Sequence, residues 1–312
     1  MGKKKKDTME LRFYEVPQGE YVLALLGDNW IRDYGHDESN LHFHNLMEIG
    51  YCKNGTGELI LNEETKRYEP AMVSIIPQNY PHVTISDIAE GPSYWEYLFF
   101  DPMAMIQELY PDNAVMQKKV LQMINRKALF FHEWENRGIS VLVKMLMDEM
   151  RQKKNHFNDC VRGLLIAFFA ELLRMCESDV SENEVKKKTG VSQITAALDY
   201  VRLEYANNIR VEELAKASHM SETHFRRVFE SYMNMSPMDY INLMRVQKAC
   251  DIMKKTNDPM DVVAQKVGFT TTSTFNRNFR QLMGMSPAEW RKRPENYEQQ
   301  LLKFDIHSEK GW

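Results

Sequence analysis

Two sets of residues in this 312-residue chain have types and spacings suited to chemistry. The first is Thr223, Arg226 and Arg227, followed later by Thr272, Ser273, Asn276 and Arg277; the last three stand 50 positions after their counterparts in the first group. Arg pairs bidentately with guanine and Asn with adenine, while hydroxyls meet a base edge or a phosphate. One such bidentate contact discriminates by about 1–3 kcal/mol, so two reading elements can specify a site that a single Arg cannot. An isolated exposed Arg is otherwise a solvated charge, and Arg280 suits a phosphate or solvent equally. The second set is His42, His44, Glu48 and His82. Three imidazoles and a carboxylate are a donor set for Fe, Ni, Mn or Zn. The same side chains can instead bond an organic effector, or be ordinary histidines at a barrel mouth, and the residues alone leave all three open.

The first set is positioned by a repeat. Ala215, Phe225, Phe229, Ser236, Pro237 and Tyr240 recur as Ala264, Phe275, Phe279, Ser286, Pro287 and Trp290, the mark of a duplicated architecture. Each copy predicts a short helix, a tight turn and a second helix able to enter a major groove. In copy one the turn falls at His219-Met220, Ser221 caps the second helix, and Glu222 sits in its positively polarised first turn. Phe225, Val228 and Phe229 are spaced to face inward. In copy two Gly268 supplies the positive φ of the turn, Thr271 is the cap, and Phe275, Phe279 and Leu282 form the buried stripe. Between the copies, 240–253 predicts a helix roughly 20 Å long that fixes the separation of the two readers.

Residues 200–293 resemble the DNA-binding domain of the AraC/XylS family of bacterial transcription regulators. The likeness is carried by Glu213-Leu214-Ala215 with 221–229, and by Val267-Gly268-Phe269 through 274–280 to Gly284-Met285-Ser286-Pro287-Ala288-Glu289-Trp290-Arg291. The resemblance implies two recognition helices in successive major grooves of promoter DNA. It places the groove-facing positions at Thr223, Arg226, Arg227, Thr272, Ser273, Asn276 and Arg277. It also implies activation more than repression, hence contact with RNA polymerase, and pairing of two copies as a homodimer. Trp290 departs from the usual Tyr, and Asn234 from the usual Gly.

Before residue 110, short runs at 22–26, 47–52, 58–61, 72–76, 82–85 and 94–100 are separated by Gly, Asn and Pro, which predicts a small all-β domain of barrel or jelly-roll type. In a strand, residues i and i+2 share a face, so His42 and His44 converge, Glu48 lies further along, and a neighbouring strand brings in His82. This region resembles the cupin fold: His42, His44, Glu48 and Gly55 match its first motif, and Pro77 and His82 part of its second, with Ala71 and Asn79 where Gly is favoured. That resemblance implies a barrel with an interior pocket, a divalent metal at His42, His44, Glu48 and His82, or a small effector such as a sugar held without metal. Trp30, Tyr51, Tyr94 and Trp95 are candidate aromatic pocket walls, though core packing explains each as well. Asp28, Arg32 and Asp33 are polar candidates with no register to orient them.

From about 103 onward the periodicity becomes helical, with helices expected at 114–130 and 139–151. A strongly apolar one at 160–175 must bury itself in its own core or against a second copy. Polar residues at 177–189 read as a linker, and 297–304 as a short terminal helix. The expected architecture is multidomain α+β: a cupin-like β-barrel at 1–110, a helical linker and dimerisation region at 111–190, an all-α domain with two helix-turn-helix motifs at 191–294, and a tail at 295–312. Charge is asymmetric: the chain carries −4 overall, yet 196–293 holds 15 Lys/Arg against 11 Asp/Glu, a modestly basic module suited to phosphates. Cys52, Cys160, Cys176 and Cys250 are scattered, which fits reduced thiols rather than a zinc site. The basic run at 3–6 lacks a following apolar segment, and no apolar stretch approaches the roughly 20 residues of a membrane span, so a cytoplasmic protein is expected. The functional expectation is a sequence-specific transcription regulator responding to a small molecule and not an enzyme; the alternatives are a metal-dependent cupin enzyme acting on a sugar or small metabolite, or a ligand-independent DNA binder.

Overall fold

Alternating side chains broken by turn residues dictate short strands, and the apolar 3.6-residue periods that follow dictate helices. A computed structural model describes residues 10–292 apart from 13, 15, 18, 36–40, 63, 179–189 and 234. The basic run at 3–6, Asn234, most of the expected linker and the tail at 295–312 lie outside the described residues. The chain divides into two compact units, Met1–Lys186 and Lys187–Trp312.

In the first unit, β1 (Glu10–Arg12), β4 (His42–His44), β9 (His82–Ser86), β6 (Gly57–Leu61) and β7 (Glu64–Tyr68) hydrogen-bond in that order as one sheet. The other runs β11 (Leu129–His132), β8 (Met72–Ile76), β5 (Met47–Asn54), β10 (Ser93–Phe100) and β2 (Leu23–Leu25), with β3 (Ile31–Arg32) also pairing β10. Both sheets are open: β1 and β7 end the first path, β11 and β2 the second. The expected cupin-like β-barrel is therefore not what forms, because a barrel requires every strand to be paired on both sides. Side-chain alternation is the same in a barrel and in two facing open sheets, so the sequence pattern did not separate them. The outer strand β7 exposes Glu64, Lys66 and Arg67, charges that discourage pairing with another chain.

Alternation along β10 builds two cores from one strand. Trp95, Tyr97 and Phe99 stack at 6.0 and 6.3 Å on one face, where Phe99 meets His44 of the other sheet at 5.2 Å. Phe100, of opposite parity, packs on Phe168 and Phe169. Those rings belong to the helical layer of the same unit: α1 (Pro102–Leu109), α2 (Ala114–Ile124), α3 (Arg137–Gln152) and α4 (Phe157–Ser178). The helix expected through residue 130 stops at Ile124, closed by the Asn125 amide bonding back to Leu121. The next residues switch to period two as β11, burying Leu129 and Phe131. Helix α4 buries Val161, Leu165, Phe168, Phe169 and Leu172 and exposes Cys160, Arg162, Gly163, Ala170 and Arg174, so its main apolar stripe is used within its own unit.

The second unit is all helical: α5 (Gly190–Glu204), α6 (Val211–Ala217), α7 (Glu222–Met233), α8 (Pro237–Lys255), α9 (Met260–Lys266), α10 (Thr272–Met283) and α11 (Pro287–Arg291). The recurring Ser-Pro pairs are helix starts. Ser236 Oγ accepts from the Asp239 amide at 3.2 Å and Ser286 Oγ from the Glu289 amide at 3.3 Å, while Pro237 and Pro287 occupy first-turn positions that need no N–H. From α8, Val246, Ala249, Cys250 and Met253 join Val263, Ala264, Phe275, Phe279 and Trp290 in one core. Among the described residues no helix is long and apolar enough to cross a membrane.

Candidate functional site

The two candidate reading helices start alike. Ser221 Oγ accepts from the His224 amide at 3.4 Å, and Thr271 Oγ1 from the Thr274 amide at 3.1 Å. The preceding turns are left-handed at equivalent positions, His219 at φ 56° and Gly268 at φ 90°. Phe225, Phe229, Phe275 and Phe279 are fully buried, so the opposite faces of α7 and α10 point away from the core. Thr223, Arg227, Ser273, Asn276 and Arg277 are exposed, and Arg226 and Thr272 are half-buried. The two faces are not chemically equal. Arg226 donates Nε and Nη2 to Glu222 Oε1 at 3.0 and 2.7 Å, and Arg227 Nη2 lies 3.1 Å from His224 Nδ1. Arg277 has no side-chain partner among the described residues.

The donor cluster lies between the sheets. His44 on β4 and His82 on β9 come from the five-stranded sheet, whereas Glu48 lies on β5 of the six-stranded one. The expectation that Glu48 continues the strand of His42 and His44 is corrected: a turn separates the strands, and the carboxylate arrives from the facing sheet. Register pairs His42 with His82, and the Asn79 amide donates to the His44 carbonyl at 2.8 Å. Glu48 Oε2 is 3.0 Å from His44 Nε2 and 3.5 Å from His82 Nε2, and one ligand atom from each of the three residues lies within 4.8 Å of the others.

Tautomers follow from the outer partners. His44 Nδ1 faces the Leu46 carbonyl at 2.7 Å and His82 Nδ1 the Tyr80 carbonyl at 2.9 Å, so each Nδ1 carries the hydrogen. Both Nε2 atoms then point toward the Glu48 carboxylate. Burial pulls the His44 pKa below its ordinary value, against the upward pull of Glu48. Burial alone would raise Glu48, but His82 and His44 outweigh it and bring its carboxyl down to about 2. Two buried Nε2 atoms converging on an ionised carboxylate call for positive charge at their centre, either a proton on an imidazole or a bound cation, and imidazoles tied through Nδ1 to backbone carbonyls are the usual outer arrangement of metal ligands. The three residues therefore fit a divalent metal. His42 is set apart: its ring stands 4.3 Å from that of His82, its Nδ1 is buried with no hydrogen-bond partner among the described residues, and burial, then Arg12, hold its pKa well below the ordinary value.

The other expected pocket residues scatter. Trp95 shares the inter-sheet face with the cluster side of β10 and packs edge-on against Tyr68 at 5.1 Å. Tyr51 is of opposite parity to Glu48 and turns to the helical layer, donating its hydroxyl to Glu133 Oε2 at 2.8 Å. Trp30 is half-buried under the Arg32 guanidinium, 4.3 Å from its ring, and meets Tyr97 edge-on. Asp28, Arg32 and Asp33 are exposed, and Tyr94 bonds the buried Glu96, both of opposite parity on β10 to the inter-sheet face. Sequence reasoning missed Tyr97 and Tyr34, which face the cluster's side; the signal was the spacing of Trp95, Tyr97 and Phe99 at every second residue.

Comparison with known proteins bears on the second unit first: residues 214–293 match the family described as a helix-turn-helix domain. Over 92% of its length the chain is 23% identical to the HTH-type transcriptional regulator YdeC of Bacillus subtilis (strain 168), covering 96% of that protein. It is also 23% identical over 78% of its length to the raffinose operon transcriptional regulatory protein RafR of Pediococcus pentosaceus, covering 84% of it. Among solved structures it resembles fatty acid-bound ToxT of Vibrio cholerae at 16% identity and a TM-score of 0.38, covering 87% of this chain and 93% of that one. The AraC/XylS resemblance expected of 200–293 stands as a distant likeness of the helix-turn-helix unit, whereas the cupin-like N-terminal domain expected with it is overturned, since the sheets of the first unit stay open. Residues 214–293 carry a helix-turn-helix unit of the DNA-binding kind beside an accessory N-terminal domain, and these relatives are transcription regulators.

Proposed function

We propose that this regulator recognises duplex DNA by laying α7 and α10 into major grooves, with Thr223, Arg226, Arg227, Thr272, Ser273, Asn276 and Arg277 reaching base edges or phosphates. The observation that carries this is the shared frame of the two helices. Both are capped by a hydroxyl, both are anchored by a buried Phe pair, and both turn polar residues outward at matching positions. Selection from a random DNA library should recover a site with two separated blocks of preferred bases. Arg277→Ala or Arg227→Ala should then lower the ratio of specific to non-specific affinity by roughly tenfold or more, with thermal unfolding unchanged. If both variants keep the parental ratio, those arginines are not base readers.

The accessory unit is the proposed seat of control. Its buried polar and aromatic inter-sheet face suits a small polar effector, and the relation to a raffinose operon regulator favours carbohydrate among candidates. Control requires the ligand to bind the DNA-competent state more tightly than the incompetent one. A second reading rests on the tautomers described above: His44, Glu48 and His82 hold a divalent transition ion that ties the two sheets together. An ion at 100 times its Kd should stabilise the first unit by about 2.7 kcal/mol, seen as a rise in the thermal midpoint of chelator-treated protein. Glu48→Gln should lose that metal-dependent rise. No rise with Mn, Fe, Co, Ni or Zn would leave the cluster to an organic ligand.

A further inference from the structure

Resting on the proposal that α7 reads bases, we infer that Glu222 is a specificity-determining residue: it fixes Arg226 against the helix and together they recognise one base step as a neutral pair. A guanidinium has two donor edges, and Glu222 Oε1 takes the Nε–Nη2 edge at 3.0 and 2.7 Å. The end-on edge, Nη1 with the second Nη2 hydrogen, remains open and matches the O6/N7 acceptors of guanine. Glu222 Oε2 has no partner among the described residues, and a carboxylate in a major groove accepts from the amino group of cytosine. Both side chains are partly exposed, at 43% for Arg226 and 46% for Glu222, so the pair is presented to solvent and not packed away.

The second copy shows that the frame does not require this acid. At the equivalent positions α10 carries Thr272 and Asn276, and its first turn holds no acidic residue. A carboxylate facing a polyanion is repelled wherever it finds no amino donor, and by neutralising Arg226 it removes that Arg from the general phosphate grip. Arg226 therefore binds where a base edge fits and contributes little elsewhere, whereas copy two carries no acid that restrains its reading side chains in this way.

The test uses the full chain with DNA selection and salt titration. In Glu222→Gln, Arg226 is released to a phosphate. Non-specific affinity should rise, the slope of log K against log salt should steepen by about 0.9, and preference at one base step should fall about tenfold. Glu222→Asp keeps the first-turn charge but withdraws the carboxylate from the Nε–Nη2 edge, and should lose the same preference. This control separates base reading from helix stabilisation. A parent that selects a site, with both variants keeping every base preference and the parental salt slope, would overturn the inference alone. A parent that selects no sequence would overturn the reading of α7 as well.

Discussion

Phe275→Ala is expected to destabilise the second unit by about 3–5 kcal/mol, the usual cost of removing a buried aromatic ring from a core. The ring has no exposed surface and sits between Phe269 at 5.4 Å and Phe279 at 5.6 Å, with Phe279 in turn against Trp290 at 6.1 Å. Collapse into the void is opposed from both ends of α10. The Thr271 cap fixes its start, and Gly284, left-handed at φ 70° with its amide on the Arg280 carbonyl, fixes its end. Domains of this size are stable by only about 5–15 kcal/mol, so the loss takes roughly a fifth or more of the total. Denaturant unfolding, followed with hydrogen exchange on α10, measures it. DNA binding should fall for matched and scrambled sites alike, unlike Arg277→Ala, which should lose discrimination while the fold holds. A loss below about 1 kcal/mol would mean that the ring is not the keystone of copy two.

Much of the second unit was legible because its signals are local and stated twice. Ser-Pro starts, a Phe pair four residues apart and a Gly at the turn each dictate backbone within a few residues, and duplication removed the ambiguity of any one. The first unit was harder. The two-residue alternation of Trp95, Tyr97 and Phe99 says that one face is buried but not whether the sheet closes, because closure depends on which distant strands pair. The strand β11 was illegible: Leu129–His132 continues an apolar helical run with only Asn125 to mark the break. The donor residues themselves were visible as types, whereas the route of Glu48 from the opposite sheet, the exclusion of Tyr51 by parity and the isolation of His42 were fixed only by pairing register. The Glu222–Arg226 pair was within reach of sequence alone, since Glu and Arg four apart on a helix meet.

Gly268→Ala should destabilise the second unit by about 2–4 kcal/mol, combining left-handed strain with overpacking. Backbone strain alone is insufficient to explain glycine here, because His219 takes φ 56° at the equivalent turn of copy one. The difference is what lies beside it. A Cβ at Gly268 would stand 2.7 Å from the carbonyl oxygens of both Tyr205 and Ala206, which are backbone atoms and cannot rotate away. That carbonyl of Tyr205 also accepts from Arg245 Nε at 2.8 Å, while Arg245 Nη2 holds Asn207 O at 2.9 Å. Arg245 is 8% exposed, and burial already lowers its pKa. Pushing the 205–207 segment outward would leave a buried guanidinium short of acceptors, a penalty of about 1–3 kcal/mol that the added methyl cannot offset. His219→Ala, where the φ is retained without this backbone contact, should change stability by less than about 1 kcal/mol, and the contrast between the two turns is the measurement. Equal effects at 219 and 268 would show that turn strain, and not the close approach of the 205–207 backbone, decides which residue each copy carries.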